Sequence, residues 1–384
     1  MRLGIPEDEL TPRVTQQLLE KVAEDDYRAS AKSLQVMSNT ISAATTGRVL
    51  LKTGTQLQTE LFGPEAALQA AQEAPPNPVP LLLLSSDGSR YRTNEADQRK
   101  AAARPKQRLA PSADELDLEA LTAGERDRGW RENKIGIVAR ALPGRYEANG
   151  HYTPPQELVK TYVATVLDIH VFGQLFRTEA ERRGLLDAQV AVWVGDHGHG
   201  NPTMLQREFA SLKKPLHIIT DFYHGSERLA ECAKIMEGEG AACKRQRRKR
   251  YYQLRGWLWN GKVRKVIQTL CAAAEALAPR PSALSALEDR PDVRALWLHV
   301  FYFEKHQSTM DYPTYRAKGW PMGSGTIESS CDQFGDRVKH NRMRWTRAGA
   351  DALHAVKAAI LSQDERWLRR WPPPIPVLEL PVAA

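Results

Sequence analysis

Two short, uninterrupted apolar segments, each followed closely by an aspartate, constrain the fold of this chain more than any other feature. Leu81–Leu84 leads through two serines to Asp87, and the segment 189–194 leads through Gly195 to Asp196. A run of about four to eight apolar residues is typical of a strand that is buried on both faces of a sheet. A third candidate strand, 216–219, is apolar except for His217 and is followed by Thr220 and Asp221. Three buried strands with helical segments between them predict an α/β fold.

The rest of the pattern predicts further elements. Residues 10–61 read as helices that suit a helix-turn-helix, 74–80 (APPNPVP) reads as a linker, and 134–139 reads as a strand. Helices are expected over 155–184, 202–212 and 226–310, and a last helix from near Ser324 past Arg344. For 155–184, the spacing of Leu158, Tyr162 and Ile169 suggests one helical face. Residues 95–128 are expected to form an exposed loop.

These elements suggest five regions. We expect an N-terminal helical segment over 1–73, the first part of an α/β core over 80–225, and an all-helical insertion over 226–312. Helices over 313–371 would complete the core, and the proline-rich tail 372–384 is expected to be disordered.

Composition narrows the class of protein. The net charge of +8 favours a polyanionic partner such as DNA. No stretch approaches the roughly 18 apolar residues of a membrane span, and the first 30 residues lack the apolar core of a signal peptide. The four cysteines form no C-x-x-C pair, which argues against a structural zinc site. We therefore expect a cytoplasmic protein that does not enter membranes.

Three carboxylates stand in positions suited to metal chemistry. Asp87 and Asp196 follow apolar strands, and Glu328 lies in the first turn of a helix that follows the glycine-containing stretch 321–325. Carboxylates that converge on one point repel each other unless a cation lies between them. Mg²⁺ or Mn²⁺ suits oxygen ligands, and two such ions support in-line phosphoryl displacement. We therefore predict Asp87, Asp196 and Glu328 as metal ligands and catalytic acids.

The chain also resembles a known family over most of its length. The family is the Kra-four family of bacterial insertion-sequence transposases, which are DDE-type enzymes. The segments that carry the resemblance are 85–97 (SSDGSRYRTNEAD), 130–138 (WRENKIGIV), 219–227 (ITDFYHGSE) and 313–345 (PTYRAKGWPMGSGTIESSCDQFGDRVKHNRMRW).

The resemblance implies an RNase H-like fold with a helical insertion between the second and third acids. It implies an enzyme that hydrolyses a phosphodiester at element ends and transfers the strand to target DNA. It also implies Asp87, Asp196 and Glu328 as the acids, in chain order. A homo-oligomer on DNA, associated with the bacterial nucleoid, is expected to carry out the reaction.

Asp221 is the alternative second acid. Asp196 is preferred because it ends the fourth strand of the expected core, whereas Asp221 ends the fifth. Asp221 and His224 instead resemble a D-x-x-H element that joins the core to the insertion. We expect them to hydrogen-bond to each other in a structural role.

Two other functions stay open. One is a truncated, catalytically inactive derivative that binds DNA and represses transposition. The other is a metallophosphatase that uses Asp196 and His197, since the Asp-His-Gly run resembles the metal site of alkaline-phosphatase-like hydrolases and His197 and His199 are candidate metal ligands. The transposase family usually has Gly-Asp-Gly at this position, whereas this chain has Gly-Asp-His-Gly-His ending at His199.

Two basic segments are candidates for DNA contact. The run 244–250 carries six positive charges in seven residues. Such clusters neutralise phosphates, and the aromatic residues that follow can stack on bases. Helical spacing also places Lys339 and Arg342 near the stripe that carries Glu328, with Arg344 beyond. The predicted DNA-binding residues are Lys244, Arg245, Arg247, Arg248, Lys249, Arg250, Lys339, Arg342 and Arg344.

Overall fold

The computed structural model describes residues 10–33, 41–62, 64–75, 77–94, 130–198, 200–339, 343–363 and 365–371. The whole predicted loop 95–128 and the whole predicted tail 372–384 lie outside these residues. The strands are β1 (Leu81–Arg92), β2 (Trp130–Leu142), β3 (Arg145–Tyr146), β4 (Tyr152–Thr153), β5 (Gln156–Thr165), β6 (Val190–Gly195) and β7 (His217–Thr220).

The helices fall into three groups along the chain. Those before β1 are α1 (Pro12–Val22), α2 (Tyr27–Ser33), α3 (Ala43–Thr59) and α4 (Pro64–Glu73). Between strands lie α5 (Ile169–Arg182) and α6 (Asn201–Phe209). After β7 come α7 (Phe222–Glu237), α8 (Lys244–Trp259), α9 (Val263–Leu277), α10 (Pro291–His306), α11 (Tyr312–Ala317), α12 (Gly325–Lys339), α13 (Arg347–Ser362) and α14 (Glu365–Arg370).

The five long strands form one mixed sheet in the order β5-β2-β1-β6-β7. β1, β6 and β7 run parallel, whereas β2 is antiparallel to both of its neighbours, β1 and β5. The chain is therefore an α/β protein, as predicted. The carboxyl ends of β1, β6 and β7 lie toward one edge of the sheet, where ligands of open α/β sheets commonly bind.

Helices cover both faces of the sheet. Leu82, Leu84 and Trp193 pack against α5 and α6 on one face. On the other face, Ile135 and Ile137 pack against α12 and α13. Val192, Val194 and Ile219 on that same face pack against the helices α7–α10, which matches the helical character predicted for 226–310.

The N-terminal helices share a core with the C-terminal ones. Leu18 of α1 and Leu50 of α3 belong to one buried cluster with Leu353 and Val356 of α13. At Gly54, a Cβ would lie 2.4 Å from the backbone of Ala352, so α3 and α13 approach each other very closely. None of the helices in the described ranges is both long and apolar enough to span a membrane.

Three predicted elements differ from the structure. Residues 156–165 form β5, not the start of a helix, and the helix begins only at Ile169. β1 does not end at Leu84 but continues to Arg92, because β2 pairs with it along its whole length. The helix α12 ends at Lys339 and does not run past Arg344, since residues 343–346 are not helical.

Candidate functional site

Asp87 lies on β1, and Asp196 and Asp221 directly follow β6 and β7, the two parallel strands beside it. The last paired residues are Leu84 with Trp193 between β1 and β6, and Gly195 with Thr220 between β6 and β7. If both registers were continued past these pairs, Asp87 would stand opposite Asp196 and Asp196 opposite Asp221, and we call these three residues the aspartate row. A side-chain hydrogen bond of 2.7 Å, from the Ser85 hydroxyl to the Val194 carbonyl oxygen, joins β1 and β6 just beyond their last backbone pair.

The row lies on the face that carries α12. Successive strand residues point to opposite faces, so Asp87 shares a face with Leu83, which packs beside the helix α12. The thiol of Cys331, one turn after Glu328, lies against the Asp87 side chain. Burial and the Asp87 charge both raise the pKa of this thiol. Glu328 and the aspartate row therefore meet between α12 and the sheet.

Asp196 begins the loop between β6 and α6. One of its carboxylate oxygens accepts a hydrogen bond of 2.8 Å from the Gly198 N–H. His197 has a positive φ of 66°, which is uncommon outside glycine and holds the loop in a tight conformation. Its Nε2 lies 2.8 Å from the Thr220 hydroxyl, and its ring stacks on His306 at 4.2 Å. Burial lowers the pKa of His197 to about 4, so the imidazole is neutral at pH 7. His199 lies outside the described residues.

Asp221 is saturated with hydrogen bonds. It caps α7, because its Oδ1 accepts from the N–H groups of Tyr223 at 2.5 Å and His224 at 3.1 Å. Its Oδ2 accepts from the Ser324 N–H at 2.6 Å and from the Ser324 hydroxyl. The residue is fully buried. These bonds use the lone pairs that a metal ion would need.

The predicted hydrogen bond between the His224 imidazole and the Asp221 carboxylate is not formed, and only the His224 backbone N–H bonds to Asp221. The His224 Nδ1 lies 3.9 Å from the Asp221 Oδ2 and 3.4 Å from the Glu328 Oε1, and it forms no hydrogen bond with either. The reason is that backbone N–H groups and Ser324 already occupy the Asp221 carboxylate. His224 therefore faces Glu328 rather than pairing with Asp221.

The Glu328 side chain is about half exposed, at 47%. Partial burial and the negative charge of Asp221 raise the pKa of its carboxyl, while His224 and a hydrogen bond of 3.3 Å from the Ser324 hydroxyl oppose that rise. Ser324 therefore contacts two acids, a role that its place in the glycine-containing stretch 321–325 did not reveal.

One possible metal cluster exists among the described residues. Ligand atoms of Asp221, His224 and Glu328 lie within 4.8 Å of one another, whereas neither Asp87 nor Asp196 belongs to a set of three that close. The aspartate row thus suggests Asp196 as the second acid, whereas this cluster suggests Asp221. We favour Asp196, because the Asp221 oxygens already accept hydrogen bonds and the Asp196 carboxylate is only partly buried.

The predicted basic run forms the start of α8, and its cations divide into two groups. Arg247 donates a hydrogen bond of 2.9 Å to the Gly238 carbonyl oxygen, and Arg250 forms an ion pair of 2.8 Å with Glu237. Both arginines therefore hold α8 against the end of α7. The four exposed cations are Lys244, Arg245, Arg248 and Lys249.

The second basic segment is only partly described. Lys339 ends α12, and its Nζ lies close to Gly335 on the side that carries Cys331. Arg344 is exposed but follows the helix, so it does not continue the helical stripe. Arg342 lies outside the described residues.

Comparisons with protein-family models and with curated proteins find no match to this chain.

Proposed function

We propose that this chain is a DDE-type DNA transposase that cleaves and transfers DNA strands with Asp87, Asp196 and Glu328. The observation that carries the proposal is the aspartate row on three neighbouring parallel strands, with the Glu328 helix packed on the same face of the sheet and its Cys331 thiol against Asp87. An acidic edge of this kind repels phosphate unless cations neutralise it, which suits a metal-dependent nuclease.

The sheet supports an RNase H-like core. When the five long strands are numbered by their order in the chain, they lie side by side in the order 3-2-1-4-5. Only the second strand is antiparallel to the other four. RNase H-like domains have this strand order and these directions. On this assignment Asp87 lies on the first strand, Asp196 follows the fourth, and α7–α10 form the helical insertion before Glu328.

The donor set fits Mg²⁺ or Mn²⁺. Asp87, Asp196 and Glu328 offer only carboxylate oxygens, the ligands that these ions prefer, and they would hold the two ions. Bound ions would neutralise charge on the phosphate and activate the attacking water or hydroxyl. The Asp221–Ser324 hydrogen bonds hold the start of α12 against the sheet, and this positions Glu328.

The proposed partner is DNA, bound by a homo-oligomer. The exposed cations of α8 would contact phosphates, and the same face would serve a catalytically inactive DNA-binding derivative equally well. Cleavage, not binding, therefore distinguishes an active transposase from a repressor. No contact of His197 favours a phosphatase, since its ring bonds Thr220 and stacks on His306.

Nicking of supercoiled plasmid with Mg²⁺ or Mn²⁺ tests the proposal. Asp87→Asn, Asp196→Asn and Glu328→Gln are each expected to abolish nicking while DNA affinity stays close to wild type and none of the three variants melts appreciably lower than wild type. Asp332→Asn, an exposed acid on the same helix as Glu328, is the matched control and should nick normally. Mn²⁺-induced shifts in melting temperature give a second readout and should vanish in the first three variants.

The proposal fails if the wild-type protein binds DNA but does not nick it with either ion. The choice of second acid fails if Asp196→Asn keeps full activity while Asp221→Asn loses it without unfolding.

A further inference from the structure

Arg228 is a half-buried arginine that forms no ion pair within the part of the chain that the structure describes. It lies on α7, one turn after His224, and its guanidinium stacks on the ring of Tyr302 at 4.0 Å. Among the described residues, no carboxylate lies within ion-pair distance of it. An arginine in this setting presents N–H donors at the edge of a plane that an aromatic ring holds in place.

Stacked rings connect Arg228 to the Asp196 loop. Tyr302 and His306 lie one turn apart on α10, and their ring centroids are 4.9 Å apart. His306 in turn stacks on His197 at 4.2 Å, and His197 directly follows Asp196. We name these side chains, together with His224, the α7–α10 seam.

The other end of the seam opens beside Glu328. His224 is 32% exposed, and its Nδ1 lies 3.4 Å from the Glu328 Oε1. Residues four apart on a helix are neighbours on one face, so Arg228 lies one turn behind this contact. The seam therefore lies next to both Asp196 and Glu328.

Unpaired polar atoms gather along the seam. The His224 Nδ1 is a buried atom without a hydrogen-bond partner, and so is the Nδ1 of His299, which lies one turn before Tyr302. The Tyr302 hydroxyl lies against the Arg228 guanidinium, whose charge lowers the pKa of that hydroxyl. Burial raises the pKa of Tyr302 to about 12, so its hydroxyl keeps its proton and can donate. Buried polar groups in proteins are almost always paired, so these atoms have room for a further partner such as water or an anion.

We propose that Arg228 binds a phosphate group of the DNA strand next to the one held at the acids. The guanidinium has the planar, bidentate donor geometry that suits phosphate oxygens. A phosphate beside the acidic row would be repelled by it, and Arg228 supplies the opposite charge at that place. Because Arg228 stacks on Tyr302 of the insertion, the insertion helices would help to align the strand. This inference rests on the proposed function and adds a substrate-positioning residue to it.

The experiment measures binding of a single-stranded oligonucleotide that spans the cleavage position, in Ca²⁺ and without cleavage. Arg228→Gln is expected to weaken binding about tenfold or more, the effect typical of removing a charged hydrogen bond. Arg264→Gln is the matched control, because it removes the same charge from an exposed position on α9 and should weaken binding less than about twofold. Arg228→Lys keeps the charge without the planar donors, so its affinity should lie between those of wild type and Arg228→Gln. It replaces Arg228→Gln in the experiment if that variant does not fold.

A scan with single methylphosphonate linkages locates the contact. In wild type and in Arg264→Gln, neutralising one particular phosphate should weaken binding, whereas in Arg228→Gln it should have no further effect. If inorganic phosphate competes with the oligonucleotide for wild type but not for Arg228→Gln, the site recognises the phosphate group itself. No competition, with the linkage effect intact, would mean that it needs the strand.

The inference is overturned if Arg228→Gln binds like Arg264→Gln at every linkage. That result would leave the proposed function standing if nicking still depends on Asp196 and Glu328. Conversely, a linkage effect at Arg228 in a protein that never nicks would keep the phosphate contact and reject the transposase.

Discussion

The Oδ2 of Asp221 accepts a hydrogen bond of 2.6 Å from the backbone N–H of Ser324, more than 100 residues further along the chain. The Oδ1 of the same carboxylate caps α7 through the N–H groups of Tyr223 and His224. One buried side chain therefore ties together the end of β7, the start of the helical insertion and the start of the Glu328 helix.

The first prediction concerns this tie. Asp221→Asn keeps one oxygen for the α7 cap, but the other oxygen becomes an NH₂ group that faces the N–H of Ser324. Two donors would then oppose each other in a buried site, at a cost of about 1–3 kcal/mol. Thermal or urea unfolding should reveal this decrease in stability.

Asp168→Asn is the control for the cap. Asp168 also caps a helix through two backbone N–H groups, at 2.9 and 3.0 Å, and the asparagine variant keeps a good capping residue. Its stability should stay close to wild type. Equal stability of the two variants would mean that the Ser324 contact contributes nothing beyond the cap.

The second prediction concerns pH and Glu328. Partial burial and the charge of Asp221 raise its pKa above the ordinary value of 4.5. The folded protein then holds this proton more tightly than the unfolded chain does, so the contribution to stability is present below pH 4.5 and is lost as pH rises through the folded pKa. Glu328→Gln, which is neutral at every pH, should melt higher than wild type near pH 7.

The increase in melting temperature of Glu328→Gln over wild type should become smaller as pH falls toward 4. Melting curves from pH 4 to 8 measure it, and Asp332→Asn on the same helix should show no comparable gain. A gain of equal size at every pH would trace the effect to side-chain packing instead of charge.

How much of this arrangement the sequence predicts depends on the range of the interaction. The apolar runs at 81–84, 189–194 and 216–219 are local signals, and each lies in or overlaps a strand of the sheet. The prediction failed at β5, where the spacing of Leu158 and Tyr162 suggested a helical face. Leu158 is in fact exposed, and pairing with β2, a long-range contact, decides the conformation.

The site shows the same limit. The position of Asp87 and Asp196 after apolar strands placed both near one sheet edge. No local pattern predicted that Ser324 would occupy the Asp221 carboxylate or that His224 would face Glu328. Both relationships depend on how the start of α12 meets the start of α7, and that contact joins segments about 100 residues apart.

The third prediction concerns two helical glycines. A methyl group at Gly54 would lie 2.4 Å from the backbone of Ala352, so Gly54→Ala should push α3 away from α13 and lower stability by about 1–3 kcal/mol. At Gly256 on α8, a methyl group meets no atom within 4 Å. Gly256→Ala should therefore stabilise the protein by about 0.5–1 kcal/mol, because alanine favours helix.

Unfolding free energies of the two variants measure this contrast. A neutral Gly54→Ala would mean that the N-terminal helices do not pack closely on the C-terminal ones.

The fourth prediction concerns the exposed cations of α8. Arg245, Arg248 and Lys249 face solvent, whereas Arg250 is paired with Glu237 at 2.8 Å. Replacing the three exposed cations with alanine should weaken binding to all duplex sequences about equally, because cations that bind phosphates do not read bases. The slope of log K against log salt should become shallower by about 0.9 for each phosphate that the variant no longer neutralises.

Arg250→Ala is the matched control from the same helix. It removes a cation that bonds within the protein, so it should change the salt slope little and act mainly on the packing of α8 against α7. Fluorescence anisotropy with labelled duplex from about 50 to 200 mM salt measures both variants. If the triple variant keeps the wild-type slope, the exposed face of α8 contacts solvent alone and DNA is held elsewhere on the molecule.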